Sequence, residues 1–149
     1  MSNGMRLPAP LRYLSLLLVL GASGNCLAMS LDQQFAGLAS CSVEQVFLDP
    51  SKQQVSGQYF VERQLQPCDL DEGARFCVKD QFHGLAVHAI GIPYRGPFSV
   101  HALYLDADVQ TARQQLGQGF DGDGVQAPLL IADPKNPGGS VLYCDPDSQ

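Results

Sequence analysis

Apolar residues recur at helical spacing in two short stretches of this chain. Leu31, Phe35 and Leu38 stand three or four residues apart, and Ser30 followed by Gln33 fits a capping box that opens a helix. The spacing predicts a helix over residues 31–39, delivering Cys41 to the body of the fold. Farther on, Val109, Ala112 and Leu116 share one helical face, with Asp106 as the expected cap and Gly117 and Gly119 as the stop.

Elsewhere the pattern has period two or consists of apolar runs bounded by turn residues. In QVSGQYFVERQL, residues 54–65, Val55, Tyr59, Val61 and Leu65 share one parity, and Gln54, Ser56, Gln58, Glu62 and Gln64 take the other. Alternation of this kind predicts a half-solvated strand, with Gly57 and Phe60 out of phase, paired with residues 42–49. Further strands are expected at 75–79, 82–92 and 98–105, and a last pair surrounds the turn in PLLIADPKNPGGSVLYC. Strands outnumber helices, and most are joined by short turns. The expected fold is α+β: an antiparallel sheet of five to seven mostly hairpin-linked strands with two short helices.

Within that sheet, the tripeptide Val-His-Ala occurs twice around PYRG, which places His88 and His101 on neighbouring strands. A loop of Pro93–Gly96 sets His88 directly across from His101. It also leaves Leu85, Val87, Ala89, Gly91, Phe98, Val100, Ala102 and Tyr104 on an uncharged face. One more loop residue puts each histidine opposite an alanine and mixes polar with apolar side chains on both faces. Segregation favours the shorter loop, and Pro93 and Gly96 suit its two ends.

A length of 149 residues fits one domain. Its beginning reads as an export signal: Arg6 and Arg12 precede or flank the run YLSLLLVL, and no acidic residue occurs before Asp32. The run is too short for a membrane span. Removal of residues 1–28 leaves a single exported domain over 29–149, with a cut after Gly24 as the alternative. Ser23 and Asn25 do not match the residues that precede a lipidated cysteine, so a soluble periplasmic or secreted product is expected rather than a lipid anchor at Cys26.

Cys41, Cys68, Cys77 and Cys144 then remain, an even number that predicts two disulfides in an oxidising compartment. Spacing alone permits three pairings. The expected ones are Cys68–Cys77, closing a short loop, and Cys41–Cys144, joining the ends. Loss of Arg6 and Arg12 with the leader reduces nine basic residues to seven against fifteen acidic, a net charge of minus eight. Such a domain, without a Lys/Arg cluster, is a poor match for nucleic acid or an anionic membrane and a reasonable one for a basic partner.

Candidate chemistry is sparse. Facing imidazoles at His88 and His101 would reach one metal ion, but no HxH, HExxH or CxxC motif supplies further ligands. Asp121 and Asp123 in GFDGDG open like a calcium loop, yet Val125 and Ala132 occupy the places of its later ligands. Ser99 and His101 point to opposite faces of a strand, and nothing in the sequence brings Glu62 and Glu72 together. No nucleophile elbow, phosphate loop or dinucleotide fingerprint is present, so no cofactor is expected. What stands out is GIPYRGPF, a stiff loop presenting Pro93, Tyr94, Arg95 and Phe98, residue types rich in interface hot spots.

These features predict a non-enzymatic, exported protein-binding module, an inhibitor or immunity factor against a basic cell-wall-active enzyme. A small-ligand or metal carrier centred on His88 and His101, and a hydrolase with a dispersed site, are the alternatives.

Overall fold

The capping box forms as expected. Ser30 Oγ accepts from Gln33 N at 3.2 Å, and Gln33 Oε1 accepts from Ser30 N at 2.9 Å, starting α1 at Leu31–Gln34. A 3-10 turn over Ala36–Ser40 continues it, and Cys41 leaves in the left-handed region with φ 50°. The structure, a computed structural model, describes residues 1, 4, 27–95, 100–120 and 126–145. Most of the expected leader including Cys26, together with Phe98, Ser99, Asp121 and Asp123, lies outside the described residues.

The hairpin expected after Cys41 is a small ribbon of β1, Leu48–Asp49, and β2, Gln54–Val55. The strand predicted over 54–65 stops there. Gly57, with φ 103°, turns the chain into a helix, α2 at Gln58–Glu62, which buries both Tyr59 and Phe60. Successive residues of a regular strand point to opposite faces, and here a helical turn brings the two adjacent aromatics into one core. Phe60 meets Phe35 and Phe76 edge-on, with ring centroids 6.4 and 4.9 Å away. The Tyr59 hydroxyl donates to Asp80 Oδ2 at 2.6 Å. Burial first, and then this bond, push the phenol pKa up.

The main sheet has six antiparallel strands. They are β3 (Asp69–Leu70), β4 (Ala74–Phe82), β5 (Leu85–Ile92), β6 (His101–Leu105), β7 (Leu129–Ala132) and β8 (Ser140–Cys144). Their order is β3-β4-β5-β6-β8-β7, so the last strand is inserted between β6 and β7. A third α-helix, α3 at Val109–Leu116, precedes β7. The fold is α+β, with three short α-helices among the described residues where two were expected.

Two local details correct the sequence reading. The chain turns at His83 and Gly84, whose φ values of 47° and 81° are those of a two-residue type I′ hairpin, so residues 82–92 are not one strand. The cap of α3 is Asp108, whose carboxylate accepts from Thr111 N at 2.9 Å, whereas Asp106 N donates to Ala86 O in the sheet.

Both expected disulfides are present, Cys41–Cys144 and Cys68–Cys77. Leu31, Phe35, Leu38, Phe60 and Ala112 join Phe76, Ile90, Leu103, Leu105 and Leu142 in one core on one face of the sheet. The opposite face, bearing Ala89, Gly91, Ala102 and Tyr104, carries no helix among the described residues. No helix among them is long and apolar enough to cross a membrane.

Opening Cys41–Cys144 with a pair of serines should cost about 4–5 kcal/mol, against about 2–3 kcal/mol for Cys68–Cys77, because the closed loops differ so much in length. Urea denaturation of the two double variants measures the difference. Glu62 accepts from the Gln58 amide and from Met29 N, and Asp108 from Thr111 N and then its hydroxyl; these bonds hold both carboxyls below their ordinary pKa values. The stability they add is fully present above the ordinary carboxyl range and is lost as pH falls through the folded values. The urea midpoint should therefore be level between roughly pH 7 and 5 and fall below about pH 4. Glu62→Gln should flatten part of that fall.

Candidate functional site

The β5–β6 register decides where the histidines go. Gly91 pairs with Ala102, Ile90 with Leu103, Ala89 with Tyr104, and Val87 with Leu105. The connection is longer than the expected four residues, and His88 does not oppose His101. The shift between Val87 and Ala89 is a bulge in which His88 and Ala89 together oppose Tyr104, so both lie on the open face. The His88 ring stands 6.1 Å from that of Tyr104, and its Nδ1 lies 2.7 Å from Asp106 Oδ1, off the line of a hydrogen bond.

His101 sits on the core face beside Leu103. Its Nε2 is 2.7 Å from Val46 O, and its ring is edge-on to Phe35 at 6.4 Å. The two imidazoles thus occupy opposite faces and cannot share a metal ion. Among the described residues no group of three or more His, Cys, Asp or Glu side chains is placed to hold one. Nor do the two glutamates meet. Glu62 is engaged on α2 by Gln58 and Met29 N, and Glu72 lies in the loop before β4.

The described part of the loop expected to project, residues 93–95, instead folds back. Leu48 N donates to Pro93 O and Arg95 N donates to Leu48 O, both at 2.9 Å, so this segment runs parallel beside β1. Pro93 is buried. The Tyr94 hydroxyl reaches the carbonyls of Asp71 at 3.2 Å and Gly73 at 3.4 Å, bracing the loop closed by Cys68–Cys77. Arg95 remains in solvent, its side chain 66% exposed, 3.6 Å from Asp49 and 5.9 Å from the Phe47 ring centroid. The Ser51 hydroxyl, chiefly, holds the Asp49 pKa low.

Between this braced loop and the open sheet face lies a trough of about 710 Å³. Gly91 and Ala102, paired across β5 and β6, form its floor. A Cβ on Gly91 would stand in van der Waals contact, 3.4 Å from Ala102 Cβ and 3.5 Å from Tyr104 Cε2, so a larger side chain there would press on this floor. Tyr104 and the exposed Val100 make one wall. Arg75 reaches across the strands to the same wall, its guanidinium carbon 4.2 Å from the Tyr104 ring centroid.

The rim carries both signs of charge. Asp69, Asp71 and Glu72 are exposed on the disulfide loop, and Arg95 and Lys135 stand on other segments. Gly73 lets the loop approach the sheet, since a Cβ there would lie 2.8 Å from Ile92 O. An apolar floor, a stacked guanidinium and a charged rim suit the capture of a polar chain or ligand. Sequence reasoning missed this trough. Its signal was the run of small residues Ala89, Gly91 and Ala102 on one face.

Compared with known proteins, the chain matches no family model, no curated protein and no solved structure.

Tyr94→Phe should release the loop without unfolding the domain. The lost hydroxyl bonds contribute about 0.5–1.5 kcal/mol, which corresponds to roughly two- to tenfold faster amide exchange at Asp71, whose N–H is bonded to Gly73 O. Exchange in β6 should be unchanged.

Proposed function

We propose that this chain is an exported, periplasmic protein-binding module that docks a basic cell-wall-active enzyme, as an inhibitor or immunity factor, through the trough on its open sheet face. The observation that carries the reading is the trough itself: a small-residue floor beside the stacked Arg75–Tyr104 pair, under a rim with three exposed carboxylates. Two disulfides fit an oxidising compartment. The acidic excess of the chain draws basic proteins toward it at low ionic strength. The contact surface moves from the tip of PYRG to the trough, and Tyr94 becomes a brace for one wall.

Carrier function at a histidine pair has lost its geometry, because His88 and His101 lie on opposite faces. Peptidoglycan hydrolases of the cell envelope are commonly basic, which makes them the partner class that an acidic exported domain would meet.

Calorimetry against a panel of purified basic muramidases tests the reading. The wild type should bind and slow at least one of them, with affinity falling as salt is raised. Val100→Asp changes an exposed wall residue at a stability cost within about 0.5 kcal/mol, and Gly91→Val raises the floor. Each should weaken binding by about tenfold or more. Equal binding by wild type and both variants, or none across the panel, overturns the proposal.

A further inference from the structure

Arg75 occupies an unusual position in the trough. It is half-buried, its guanidinium lies on the face of Tyr104, and no acceptor among the described residues is hydrogen-bonded or ion-paired to it. Asp69 is its direct cross-strand partner, the nearest carboxylate by register, yet the guanidinium stays on the tyrosine. A planar fork held over a ring, with no described acceptor on its N–H donors, is arranged to take a planar two-oxygen acceptor.

Three features narrow the ligand. The trough floor is sheet, where Gly91 and Ala102 belong to paired strands, so no nest of free backbone N–H groups is offered to a chain terminus. Asp69, Asp71 and Glu72 on the rim repel a phosphate dianion more strongly than a single carboxylate. The same three carboxylates attract cations, and none is ion-paired among the described residues. We infer that Arg75 clasps the side-chain carboxylate of an Asp or Glu that stands between basic residues in the docked segment, whose Lys or Arg neighbours rest on the acidic rim. This inference rests on the trough being the docking surface.

The probe is a short peptide, N-acetyl-Lys-Glu-Lys-amide, titrated into the ¹⁵N-labelled protein, with the Gln analogue as its uncharged isostere. A third peptide, N-acetyl-Lys-Gln-Lys with a free C-terminal carboxylate, tests the alternative source of the anion. The Glu peptide should shift the Gly91, Ala102 and Tyr104 amides and bind about tenfold tighter than the other two. In Arg75→Gln the preference should vanish, and in Arg75→Lys it should shrink, with the folded spectrum otherwise retained.

Equal binding of the Glu and Gln peptides, binding of neither, stronger binding of the free-acid peptide, or a Glu preference that survives Arg75→Gln overturns the clasp. The docking surface is judged separately. A muramidase lost by Val100→Asp but held equally by wild type and Arg75→Gln leaves the trough in place and removes only the role of Arg75.

Discussion

A sheet can be covered on one face only if something holds the cover down. Here the cover is made of pieces too short to persist alone: α1 has four residues and α2 five, well below the length at which isolated helices survive in water. They are fixed by the Cys41–Cys144 bond to β8 and by side chains that reach between layers. Gln34 Oε1 accepts from Tyr59 N, Asp32 Oδ1 accepts from His83 N, and the Tyr59 hydroxyl meets Asp80. All of the described helices go to one side of the sheet. The other side keeps its shallow relief of Ala89, Gly91 and Ala102, and the trough exists for that reason.

The fold class, the number of disulfides, the capping box at Ser30 and the closing hairpin were legible because each depends on neighbours in sequence or on a count of cysteines, whereas the pairing of the four cysteines was chosen among three that the spacing allows. The stretch from Gln54 to Leu65 was not. Val55 and Tyr59, like Val61 and Leu65, are four residues apart, a spacing that serves a strand face and a helix face alike. The out-of-phase residues carried the answer: Gly57 supplies the turn and Phe60 enters the core. The turn at His83-Gly84 was also local, and its glycine was the available cue.

The histidines show where local patterning ends. Their expected meeting assumed that PYRG connects two strands and does nothing else. Residues 93–95 are instead engaged by Leu48, 45 positions from Pro93 in sequence, and no pattern inside the hairpin could reveal that. The bulge at His88 then places two consecutive residues on one face, which breaks the parity rule used to set the register. Arg75 and Tyr104 escaped notice for a related reason, since two intervening strand pairings bring them together.

The position of β8 sets the timing of assembly. Ser140–Cys144 belongs to the interior of the sheet, between β6 and β7, and also carries the cysteine that fastens the helical layer. Neither the sheet nor the fastening of its cover is complete without residues 140–144. Without those residues β7 lacks its strand partner and Cys41 its thiol partner. Closing the sheet and fastening its helical cover thus both wait on the same strand.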